Sequence, residues 1–125
     1  MYRLAVQRDF IAQHYLIGGD YGPENDLHSH HYRIEVQLSG TELNSQGYLV
    51  DIVEVEESLE RTIAIFRETT LNDHPAFEGL NPSLEHFARI LHIKIREVLL
   101  QDGVDDMMVR LWEDENTYVD YRDSS

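Results

Sequence analysis

His28 and His30 lie two apart in the run LHSHHYRIEV, residues 27–36. Side chains two apart on an extended strand leave the same face, roughly 7 Å apart at the backbone given a rise of ~3.4 Å per residue. Two imidazoles so placed can share one metal ion. A third, His14, ends the preceding alternating run with the same parity, and three histidines with an open fourth position form the donor set of a catalytic zinc site. The chain contains no cysteine, which excludes thiolate ligands, disulfides and thiol nucleophiles, so any metal must be held by His, Asp or Glu. The same His-x-His pair also suits two polar residues at a sheet end, and spacing alone leaves both readings open. His31 points to the opposite face and reads as a surface or interface residue.

The elements that must position these residues follow from hydrophobic periodicity. From Tyr2 to His14 the even positions are Tyr, Leu, Val, Arg, Phe, Ala and His, a period-two face broken only by Arg8. The turn-rich stretch GGDYGPEND, 18–26, leads to a second alternating run with His28, His30, Tyr32, Ile34, Val36 and Leu38 on one face, and the two runs pair as a long hairpin. Val55, Leu59, Ile63 and Phe66 then recur at helical spacing. Asn81 and Pro82 suit a cap and a first-turn proline for a second helix, whose apolar stripe is Leu84, Phe87, Ala88, Leu91, Ile95, Val98 and Leu99. Gly103 lies beyond its end. Met107 to Glu113 and Thr117 to Tyr121 read as a closing hairpin, and residues 122–125 as a frayed tail. The order ββααββ predicts an α+β fold with two helices on one face of a four-stranded antiparallel sheet. The outer face and edges of such a sheet need cover, which points to oligomerisation.

Composition narrows the function. With 125 residues and 42% hydrophobic content, one domain spanning 1–125 is expected. Net charge is −14, and Lys94 with nine arginines supplies all the fixed cations, so there is no basic stripe to track nucleic acid. No run approaches the ~20 apolar residues of a membrane span. A cytoplasmic protein with no nucleic-acid and no membrane partner is expected.

The motifs resemble those of the 6-pyruvoyltetrahydropterin and 6-carboxytetrahydropterin synthase family. FIAQH at 10–14 followed by LHSHH is similar to its zinc signature Phe-x-x-x-His and His-Gly-His, with Ser29 in place of the glycine. GYLVD at 47–51, LND at 71–73 and NPSLE at 81–85 resemble further family segments, and Glu113 stands eight residues before Tyr121 as the pterin-anchoring glutamate does. The resemblance covers nearly the whole chain. It implies a tunnelling fold assembled into a barrel, a homo-oligomer and specifically a hexamer, with zinc held by His14, His28 and His30 and a pterin held by Glu113. A carboxylate offers two acceptors and no donor, so it can take paired N–H bonds from a pterin's 2-amino group and ring nitrogen.

The match fails at the catalytic positions. The synthases' cysteine corresponds to Glu24, and their Asp-His pair, counted without gaps, falls on Arg67 and Glu68. The resemblance implies a zinc-dependent lyase acting on 7,8-dihydroneopterin triphosphate or a similar pterin, with Glu24 as the replacement base and His74 as a proton carrier. Arg67 or Arg89 is available for a triphosphate. Loss of both catalytic elements equally suits a family member that binds zinc and pterin without synthase activity. A model glutamate is about four pKa units below a cysteine, so a base at Glu24 depends on a dry site or on a metal-acidified hydroxyl.

Overall fold

A computed structural model describes residues 1–99 and 103–123. Strand β1 (Tyr2–His14) and strand β2 (His28–Gly40) form an antiparallel pair in which His14 lies opposite His28 and Tyr2 opposite Gly40. Helices α1 (Ile52–Phe66) and α2 (Leu84–Val98) follow, then β3 (Asp106–Trp112) and β4 (Tyr118–Arg122). The sheet order is β1-β2-β3-β4, antiparallel throughout. Helix α1 packs over β1, and α2 over β3 and β4. The α+β architecture with the order ββααββ agrees with the periodicity.

The core lies between the sheet and the helices. Even-numbered β1 and β2 residues Phe10, Ala12, Tyr32, Ile34, Val36 and Leu38 are buried against Leu59, Ile63, Phe66, Phe87 and Leu91 of the helices. Phe87 is fully buried and meets Phe10, Tyr32, Phe66 and Phe77 in edge-on contacts, the geometry aromatic quadrupoles favour. Arg8, which interrupts the apolar face of β1, reaches Glu56 at 2.6 Å and Glu60 at 2.9 Å on α1. Its guanidinium thus ties α1 to the strand.

Three expectations are corrected in detail. Helix α2 is capped by Ser83, whose hydroxyl accepts from the His86 amide. Asn81 instead turns its side-chain oxygen to the Ile17 amide at 2.8 Å, tying the β1–β2 loop to the entry of α2. Arg122 belongs to β4 and pairs with Asp106, and Asp123 pairs with Arg96, so neither is a frayed tail; residues 124 and 125 of that expected tail lie outside the described residues. The closing strands are displaced by a residue at their ends: Glu113 lies just past β3 and Thr117 just before β4.

The sheet face away from the helices carries a buried polar row. Glu35 is 8% exposed and accepts from Gln7 at 2.6 Å and from Gln37. Among the described residues, no helix is long and apolar enough to cross a membrane.

Candidate functional site

The end of the β1–β2 hairpin builds the site. Register places His14 opposite His28, and the period of two puts His30 on the same face one step further in. The three rings meet at centroid distances of 4.6, 4.9 and 4.9 Å, each pair close to perpendicular. The Nε2 atoms of His28 and His30 are 3.1 Å apart, and one ring nitrogen from each histidine lies within 4.8 Å of the others. A tetrahedral ion with Zn–N bonds of about 2.0–2.1 Å needs nitrogens about 3.4 Å apart. The rings therefore converge on a volume of the right size.

The hydrogen bonds around two of the rings suit metal binding. His28 Nδ1 lies 2.8 Å from the Asp26 carbonyl. A carbonyl only accepts, so Nδ1 carries the proton and Nε2 presents a lone pair to the cluster. His14 is 2% exposed, with its Nδ1 3.3 Å from the Tyr32 hydroxyl and its ring bonded to the Pro82 backbone. Burial, reinforced by His30 and His28, pushes its pKa down to about 4, so the ring is neutral at ordinary pH. Its Nε2 is the buried side-chain atom left without a partner among the described residues. An orphaned lone pair beside two further imidazoles is costly unless something electrophilic meets it, and an all-nitrogen set of three imidazoles fits a zinc ion.

Two carboxylates approach the same ring. Glu113 Oε1 is 3.2 Å from His30 Nε2, and Glu24, His30 and Glu113 form a second group with ligand atoms within 4.8 Å of one another. Glu24 sits in a short 3-10 turn, Gly22–Asn25, entered through Gly22 at φ 65°, a backbone conformation that glycine adopts without strain. The backbone of Glu24 is held by its carbonyl, which accepts from the Leu16 amide, while its side chain stays exposed. The Tyr32 hydroxyl is held well above its usual range, mainly by burial and further by the Glu113 carboxylate, so it remains a neutral hydrogen-bonding group behind His14.

His74 stands apart from both groups. Its Nε2 meets the Thr69 hydroxyl at 2.8 Å and its ring lies on Phe66, with its pKa lowered chiefly by burial. Arg67 caps α1 and reaches Glu60 at 3.6 Å, and Glu68 adopts φ 57° while its amide donates to Ile11. Tyr32 and the Asp26 carbonyl are site groups that the motif reading did not single out. Parity could have found Tyr32, which shares the face of His28 and His30. The carbonyl contact depends on a loop path that no pattern encodes.

Beside His30 and Glu113 opens a pocket of about 570 Å³. Trp112 and Arg33 form part of its wall, with the Arg33 guanidinium 5.9 Å from the indole centroid.

A family model described as 6-pyruvoyl tetrahydropterin synthase matches residues 3–124. Among curated proteins none matches. The 6-pyruvoyl tetrahydropterin synthase of Caenorhabditis elegans has a similar structure, with TM-score 0.83 and 19% identity over 99% of this chain and 98% of that one. The Plasmodium vivax synthase gives TM-score 0.81 and 16% identity over 98% and 97%. A second P. vivax structure, described as a catalytic-residue mutant with alanine in place of a glutamate, gives TM-score 0.73 and 14% identity over 98% and 97%.

Proposed function

Because the chain belongs to the 6-pyruvoyl tetrahydropterin synthase family, we propose that it is a zinc-dependent lyase acting on the C6 side chain of a reduced pterin. The observation that carries this reading is the convergence of His14, His28 and His30 with Glu24 and Glu113 drawn up around His30. His14, His28 and His30 would hold the ion, which when bound supplies Lewis acidity toward side-chain oxygens. Glu113 accepts the paired N–H bonds of the pterin's amino-pyrimidine edge and fixes the ring. Glu24, grouped with His30 and Glu113, removes and returns the proton of the side chain. A catalytic glutamate in the P. vivax protein supports a carboxylate in this role. His74 is given no step, since Thr69 already engages its Nε2. The open outer strands β1 and β4 favour assembly into a barrel, with a hexamer as the expected size.

A second reading, a pterin- and zinc-binding protein without turnover, is favoured by one observation. Arg67 and Glu68, at the positions of the family's Asp-His pair, are turned to a structural ion pair and a backbone bond. Incubating the zinc-loaded protein with 7,8-dihydroneopterin and its triphosphate, with products followed by chromatography, separates the two. The lyase reading expects product from wild type and at least about 100-fold less from Glu24→Gln, the usual scale for a lost acid–base group. Tight pterin binding with no product from either substrate selects the second reading.

A further inference from the structure

His14 reaches the cluster from a different strand than its two companions. His28 and His30 stand two apart on β2, so one strand fixes their spacing, whereas His14 ends β1. Its ring must be brought to the same point and held with Nε2 turned inward. Two groups contact the other nitrogen of that ring. Nε2 makes no hydrogen bond among the described residues, so the bond between the ring and the Pro82 backbone belongs to Nδ1. Proline has no backbone N–H, so the Pro82 group is its carbonyl, which only accepts. Nδ1 therefore carries the hydrogen and Nε2 the lone pair. The second group at Nδ1 is the Tyr32 hydroxyl, 3.3 Å away, placed to accept from the same N–H.

Tyr32 is in turn a fixed group. It is 1% exposed, its ring stacks on Phe10 with centroids 5.5 Å apart, and Phe87 meets it edge-on at 5.1 Å. Residues 28, 30 and 32 also share one face of β2. The hydroxyl thus ties the imidazole from β1 to the strand that supplies the other two. We infer that Tyr32 is a positioning residue of the metal centre, whose hydroxyl, with the Pro82 carbonyl, sets the tautomer and ring rotation of His14 so that Nε2 meets the ion. This rests on the reading of the three histidines as a zinc site. Neither group touches the ion, and their effect passes through the imidazole, as it does for other outer-shell partners of zinc histidines. One acceptor fixes which nitrogen bears the hydrogen. A second, from a different element, narrows the turning of the ring about its Cβ–Cγ bond.

Removing the hydroxyl alone tests this. Tyr32→Phe keeps both aromatic contacts, and its zinc affinity is measured against wild type by competition with a chromophoric chelator. The expected result is about tenfold weaker zinc binding, the lower end of the effect of an outer-shell partner, because the Pro82 carbonyl remains. Phe77→Leu controls for a merely loosened core. Phe77 is buried, and its ring contacts are to Phe66 and Phe87, so this variant should lower the urea midpoint and keep zinc affinity within about twofold of wild type. Tyr32→Phe binding zinc within about twofold of wild type, or an equal loss of affinity in Phe77→Leu, overturns the inference and leaves the zinc reading intact. A wild type that takes up no zinc removes both together. A second measurement needs no variant: nuclear magnetic resonance of the zinc-loaded wild type with isotopically labelled histidine. The His14 ring hydrogen should reside on Nδ1 and show a nuclear Overhauser contact to the Tyr32 ring. Hydrogen on Nε2, or absence of that contact, overturns the inference whether or not Tyr32→Phe folds.

Discussion

Replacing Glu113 by glutamine is the perturbation that isolates the pterin anchor. The substitution is isosteric and leaves the backbone bond from the residue 113 amide to the Thr117 carbonyl, 3.1 Å, untouched. What changes is the carboxylate, about a quarter exposed at 26% and 3.2 Å from His30. A hydrogen bond to a charged group contributes about 1.5–3 kcal/mol, and a pterin edge would make two to Glu113. The amide loses charge assistance on one and presents its own N–H against the second donor. Partial exposure tempers the loss, so we expect about 2–3 kcal/mol, or roughly 30-fold to 150-fold in affinity. Calorimetry of the zinc-loaded variant with 7,8-dihydroneopterin reads this directly. Zinc content and the urea midpoint should stay close to wild type. A variant that binds the pterin within about threefold of wild type would refute the reasoning, because a pair of charge-assisted bonds cannot vanish at so little cost.

Two further outcomes concern the scaffold. Phe87→Ala removes the ring on which four other aromatics converge, and should cost about 3–5 kcal/mol in urea unfolding. In chelator, His14 has its folded pKa lowered to about 4 from 6.5. The unfolded chain therefore binds the extra proton between those values, and its stabilising contribution is present above pH ~6.5 and lost as pH falls toward ~4. The loss should reach about 3 kcal/mol relative to a His14→Asn variant, measured as the difference in unfolding free energy between pH 7 and pH 4.

Elements with a clean period were legible in the sequence. Strand β1 has the bounds that its alternation predicts, because a two-residue period with one buried face leaves no freedom of register. The second helix followed from its apolar stripe, but its cap did not. Asn81 is an equally good cap by type, and only the contact to Ile17, 64 positions away in sequence, takes it out of that role and leaves Ser83 in place. Arg8 breaks the apolar alternation of β1 because its partners Glu56 and Glu60 lie on a helix whose position over the strand no local pattern gives. The histidine cluster was foreseeable because parity and hairpin register are both local rules. Glu113 and Glu24 come from a hairpin link and a 3-10 turn, whose approach to His30 depends on loop paths that composition does not encode.

The central claim is that imidazoles 14, 28 and 30 hold zinc. Elemental analysis of protein purified without chelator tests it most directly. The account predicts close to one zinc per chain, falling to near zero in a His28→Ala variant that remains folded. Less than about 0.2 zinc per wild-type chain, with no uptake from added zinc, would contradict it.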